Sequence, residues 1–380
     1  MQGTDKIRHT LKKTAQGFVL SFAVLAVIAV CNKNIALGDV FLFSTIPMYR
    51  LGIGAVLYPE QSRHEGDASV PLKSNGLIGM KDIIFPAITR STDTPNVFDT
   101  TYEPLLTASV PNETDAYPDG ELLEKLRDFD YLRTQFFVEE KGTALAYGNV
   151  DIDGWMVEDL AINTHMQGPK VLIFHTHSTE MFADSDPRDP MEGVMGLGYE
   201  LARILAERYG IETLHHVGRY DLVDGNPQIL GAYERMEPNI EKVLKDYPSI
   251  QLIIDIHRDG VLEQRLPYPF VTELGGQRTA QIMFVNGLCQ VIENGQITPV
   301  SWLPNENLRT NLALSFRMQL YANAQYPGLM RKIYLKPYRY SLHMLPKSIL
   351  VEIGAQNNTK QEAHNALIPL ADIIAGVVMG

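Results

Sequence analysis

Lys170–Glu180 reads KVLIFHTHSTE, an apolar run that ends abruptly in two histidines and a glutamate. A run this short, apolar at four successive positions from Val171 to Phe174, predicts a strand buried on both faces. Two later stretches repeat the arrangement. Ile250–Ile256 (IQLIIDI) runs into His257-Arg258-Asp259, and Ser348–Gly354 (SILVEIG) carries Glu352 in otherwise apolar company. Between them, helical periodicity covers about 191–209, closed by Gly210, and about 228–246, with a strand at Ile211–Val217. Ala280–Val285 reads as another strand. Asn307–Tyr326 and Thr359–Met379 read as helices, the second opened by an Asn-Thr cap. Strands alternating with helices predict an α/β fold: a mainly parallel sheet with helices on both faces.

In such sheets the ligand site lies beyond the carboxyl ends of the strands. His175–Glu180, Asp255–Asp259 and Val351–Ile353 would therefore converge on one edge. Cys31 and Cys289 are the only cysteines and stand far apart, so any metal must be held by histidine and carboxylate. Two histidines and one glutamate make a zinc set that leaves a position open for water. His177 and Glu180, three residues apart at a strand-to-helix turn, can close on one ion, with His257 arriving from a neighbouring strand. A single strand-end histidine is usually structural, but histidines at two strand ends together with Glu180 shift the balance to a metal site. His175 and His177 point to opposite faces if strand geometry persists. His177 is the preferred ligand, and His175 is its alternate or a supporting group behind it.

Glu352 is costly in so apolar a run unless it is paired or functional. The functional reading is a general base and acid of raised pKa, taking a proton from the attacking water and delivering it to the leaving amine. Arg258 would polarise the scissile carbonyl or hold a substrate carboxylate. Its competing reading is an ion pair with Asp255 or Asp259. His165, His215, His216, His343 and His364 read as ordinary polar residues, with 343 and 364 on surface segments. The chain has no Gly-rich phosphate loop, no G-x-S-x-G elbow and no H-E-x-x-H helix.

The N-terminus adds a compartment. Lys6, Arg8, Lys12 and Lys13 precede Gly17–Cys31 (GFVLSFAVLAVIAVC), whose only polar residue is Ser21. As a helix it would rise about 22 Å. A cleaved signal peptide and an uncleaved anchor compete; no small-x-small site follows promptly, and the anchor is favoured. The basic flank keeps residues 1–16 in the cytoplasm, makes 17–31 a single-pass anchor in the cell membrane and exports the rest. Residues 32–119, with recurrent proline, read as an extended or loosely ordered spacer, and 120–380 as the catalytic domain. With 45% hydrophobic and 21% charged residues the composition is that of an ordinary folded protein. A net charge of -12 and a pI near 5.3 argue against a nucleic-acid partner.

Over about Asp151–Met379 the chain resembles the stage II sporulation protein P family. The likeness runs through VLIFHTHSTE (171–180), IDIHRDG (254–260), AQIMFVNG (280–287), NLAL (311–314), YPGLMRKIYL (326–335) and LVEIG (350–354). It implies a cell-wall amidase-like fold and a zinc-dependent N-acetylmuramoyl-L-alanine amidase that cleaves stem peptide from peptidoglycan, with cross-link endopeptidase activity besides. It also implies work in engulfment during sporulation, in a membrane complex with stage II sporulation proteins D and M. His177, His257 and Glu352 match the family's zinc and catalytic positions, with Glu180 chosen as the remaining ligand. Trp302–Glu306 and Tyr340–His343 depart from the family pattern, at positions that the resemblance places along the substrate groove. Two other readings compete: a zinc carboxypeptidase on wall peptides, and a non-catalytic peptidoglycan-binding scaffold.

Overall fold

A computed structural model describes residues 81–87, 118–261 and 270–379, all within one compact unit, Ser74–Gly380. The predicted anchor and most of the predicted spacer lie outside the described residues. In chain order the strands are β1 (Ile83–Phe85), β2 (Phe137–Glu139), β3 (Val171–Phe174), β4 (Thr213–His215), β5 (Leu222–Val223), β6 (Asn226–Pro227) and β7 (Leu252–Asp259). They continue with β8 (Val271–Leu274), β9 (Gln277–Ala280), β10 (Ile282–Gly287), β11 (Gln290–Glu293), β12 (Gln296–Pro299), β13 (Ile333–Lys336) and β14 (Ser348–Ala355). The α-helices are α1 (Gly120–Arg127), α2 (Phe129–Phe136), α3 (Ile152–Val157), α4 (Val194–Tyr209), α5 (Ala232–Asp246), α6 (Leu308–Gln325), α7 (Lys360–Asn365) and α8 (Leu367–Val378).

The KVLIF stretch forms β3 with all four strand residues buried, as a both-face-covered strand requires. It sits near the middle of an eight-stranded sheet of order β1-β4-β3-β7-β14-β10-β13-β2. β4, β3, β7 and β14 run parallel to one another, as do β10, β13 and β2. The two sets meet antiparallel at β14–β10, and β1 is antiparallel to β4. The sheet is therefore mixed. β10 follows the β8–β9 hairpin after one residue, with no crossover helix to return the chain to the other edge, so it runs against β14. The strands that carry the three polar clusters still share one direction.

Side-chain alternation divides the core. Val171, Ile173, Ile254, Ile256, Val351 and Ile353 belong to a cluster shared with α4, α6 and α8. Leu172, Phe174, Leu214 and Ile253 pack with Met236, Ile240 and Val243 of α5. Helices thus cover both faces. α4 ends at Gly210, whose φ of 66° is the left-handed cap that a glycine at this position predicts.

Two expectations change. The helix expected over Thr359–Met379 is two, α7 and α8. Thr359 caps α7 with a reciprocal Glu362 box, but Pro369 lacks the N–H that would bond the Asn365 carbonyl and its ring crowds that oxygen, so α7 stops there. Within the expected spacer, Ile83–Phe85 is the edge strand β1, and Asp82 Oδ2 lies 2.8 Å from His216 Nδ1. Among the described residues no helix is long and apolar enough to cross a membrane.

Candidate metal and catalytic site

The turn after β3 brings His177 and Glu180 to the carboxyl ends of β3, β7 and β14. Asp255, buried within β7, accepts the Thr176 main-chain N–H at 2.9 Å and the Thr176 hydroxyl at 2.7 Å, which fixes where the turn begins. Further along, Asp221 accepts the Ser178 hydroxyl at 2.7 Å and the Thr179 N–H at 2.9 Å. Glu180 closes the turn: its Oε2 accepts the Arg258 main-chain N–H at 2.9 Å and lies 3.5 Å from His257 Nδ1. The rings of His177 and His257 stand edge to face, 5.3 Å between centroids, with Tyr233 of α5 edge-on to His177 at 5.6 Å.

Glu352 joins them through strand register. It pairs across β14–β7 with His257 and across β14–β10 with Met283. Just beyond it β14 bulges, and Gly354 adopts φ +64°, where an added Cβ would lie 2.7 Å from Asn358 Oδ1. A glycine is required there on both counts.

The electrostatics are those of a desolvated cluster. Burial pushes the Glu352 carboxyl up to about 8; His257 nearby opposes this, while Glu180 and Asp259 add to it. Its Oε2 is buried without a hydrogen-bond partner. Burial lowers His177, and the neighbouring His257 lowers it further. Burial would lower His257 too, but Asp255 and Glu180 outweigh it and hold the ring well above its ordinary value. His257 Nε2 lies 2.8 Å from Asp255 Oδ1, off the line that a hydrogen bond needs.

Of the expected residues, His177, Glu180, His257 and Glu352 come together. Arg258 lies beside them, but its guanidinium is tied to main chain: Nε donates to the Met181 carbonyl at 2.9 Å and Nη1 to its own neighbour Asp259 at 3.3 Å. His175 faces elsewhere. Its Nδ1 lies 3.1 Å from the Ile256 carbonyl and its Nε2 3.0 Å from His215 Nε2, and burial lowers it to about 4. His343, expected on a surface segment, is half-buried, 3.1 Å from Glu237.

As the side chains stand, no three His, Cys, Asp or Glu among the described residues are placed to hold one ion. Glu180 is engaged by Arg258 and His257 instead. The chemistry of the set nevertheless suits zinc: two imidazoles and a carboxylate in one cluster, with His177 Nδ1 buried and without a partner. Asp221 and Tyr233 are the neighbours that sequence reasoning missed. Asp221 lies in a loop with no motif, and Tyr233 looks like any helix aromatic. Asp255 carried the same signal as Glu352, a carboxylate inside an apolar strand.

Residues 110–375 match the family model described as Stage II sporulation protein P (SpoIIP). The stage II sporulation protein P of Bacillus subtilis (strain 168) is 24% identical over 222 residues, 54% of this chain and 50% of that protein. The chain thus spans about half the length of this curated relative. Two solved structures are similar at low scores. The CwlD amidase from Clostridioides difficile, in complex with the GerS lipoprotein, has a TM-score of 0.32 and 14% identity, covering 54% of this chain and 95% of its own. Ami1, an N-acetylmuramyl-L-alanine amidase from Mycobacterium smegmatis, has a TM-score of 0.26 and 14% identity, covering 55% and 97%.

Proposed function

This chain belongs to the stage II sporulation protein P family, and from that premise we propose that it is a zinc-dependent N-acetylmuramoyl-L-alanine amidase of peptidoglycan. In this reading it also cuts peptide cross-links and acts in septal wall removal and engulfment during sporulation. The observation that carries the reading is one cluster of His177, Glu180, His257 and Glu352 at the carboxyl ends of three co-directional strands. Acid–base residues and metal donors meet where an α/β sheet places its ligands.

His177, Glu180 and His257 would hold zinc. When bound, the ion supplies Lewis-acid polarisation of the scissile carbonyl and of water. Glu352, whose Oε2 is sealed from other partners, holds and moves the proton: it accepts one from the attacking water and passes it to the leaving amine. Asp255 stands behind His257, where a carboxylate orients a ligating imidazole. For Arg258 the proposal is an anchoring role, since polarising the substrate would require it to leave the Met181 and Asp259 carbonyls. The same engagement disfavours a carboxypeptidase that uses Arg258 to hold a free carboxylate.

Residues 17–31 anchor the chain in the membrane in this reading, with the domain outside the cytoplasm, facing peptidoglycan. Stage II sporulation proteins D and M are its proposed partners, a reading supported by the family resemblance. The test is a digest of purified peptidoglycan, with its products read by mass spectrometry. Release of intact stem peptides from unbroken glycan is the expected result. Peptides trimmed on glycan that keeps its stems would make the protein a peptidase. Binding without any release would make it a scaffold.

A further inference from the structure

The turn that carries His177 is gripped from two directions. Asp255 holds its start from within the sheet. Asp221, fully buried, holds its middle from the segment that leaves β4. Both Asp221 oxygens are used: Oδ1 accepts the Ser178 hydroxyl, and Oδ2 accepts both the N–H and the hydroxyl of Thr179. Arg219 Nε approaches the same Ser178 hydroxyl at 3.4 Å. A buried carboxylate is strongly disfavoured unless it is fully bonded, and here the bonds go to the two residues that follow His177. Ser178 is itself buried, so this side of the turn has little water to replace a lost acceptor.

We propose that Asp221 is a positioning residue for His177: by occupying the donors of Ser178 and Thr179 it fixes the imidazole against His257, ready for a divalent cation. The proposal rests on reading His177 as a ligand. Any buried carboxylate supports the fold, so a comparison is needed. Asp372 of α8 serves, since it accepts the Tyr209 and Tyr326 hydroxyls at 3.0 and 2.7 Å within the helical layer.

The experiment uses the full metal-free chain with isotope-labelled histidine rings, as parent, Asp221→Asn and Asp372→Asn, followed by zinc titration. In Asp221→Asn the His177 ring signals should broaden or split, and zinc affinity should fall about 10- to 100-fold. Asp372→Asn should lose stability yet leave the His177 signals and zinc affinity as in the parent. Should Asp221→Asn fail to fold, Thr179→Val removes one hydroxyl and should shift the same signals to a smaller degree. Unchanged His177 signals in Asp221→Asn, or equal disturbance by Asp372→Asn, would overturn the proposal. A parent that takes up no zinc would sink the metal-site reading instead, while the ring signals would still decide the role of Asp221.

Discussion

Glu352 stands between Val351 and Ile353, which pack into the core on the far face of the sheet, while Glu352 itself is in register with His257 across the strand pair. Its place in β14 is therefore what raises its pKa. In the proposed mechanism, replacing it by glutamine removes the proton carrier but no ligand, so Glu352→Gln should lower peptidoglycan hydrolysis by about 10²–10⁴-fold with zinc content unchanged. Its titration predicts a second effect. A carboxyl raised from 4.5 to about 8 contributes no penalty below its ordinary value and destabilises the fold progressively as pH rises through the raised one. Urea unfolding of the metal-free parent against metal-free Glu352→Gln should show the parent losing ground between about pH 4.5 and pH 8; a constant difference would contradict the raised pKa. The sequence made Glu352, His177, Glu180 and His257 legible because each is a polar group where an apolar strand should continue. Asp221 carried no such mark, since a loop aspartate is usually solvated, and its burial depends on contacts 42 and 43 residues away.

At the scale of elements, α4 is shaped by the histidines it covers. An added Cβ at Gly198 would lie 2.5 Å from His175 Nε2 and 2.9 Å from His215 Nε2, so the buried imidazole pair needs a helix without a side chain there. Gly198→Ala should destabilise the chain by about 1–3 kcal/mol, measured by urea unfolding, and should leave the His177 ring undisturbed because that ring lies on the α5 side of the sheet beside Tyr233. Element type was readable wherever the apolar period was long. The Asn-Thr cap at 358–359 marked the start of α7, but one apolar stretch hid the break that Pro369 imposes. β2 and β13 escaped notice because they are short and only partly buried.

For the whole molecule, the informative difference is the reversal at β10. Alternating strands and helices suggested a mainly parallel sheet, but a hairpin in place of a crossover helix turned one part of the sheet over. The site was unaffected, because β3, β7 and β14 precede that reversal in sheet order and keep one direction. At the opposite edge β1 covers β4, so a chain that begins at residue 88 should expose the β4 edge. It should unfold at a lower temperature than one that begins at Ser74; equal melting temperatures would show β1 to be dispensable. In the proposed enzyme His177, Glu180 and His257 form one zinc site with Glu352 beside it. The most direct test of that site is the zinc content of the purified full chain, compared with His177→Ala, Glu180→Ala, His257→Ala and Glu352→Gln. One zinc per chain is expected in the parent and in Glu352→Gln, with loss of the metal in each of the other three. A parent without zinc, or one whose zinc survives both histidine substitutions, would contradict it.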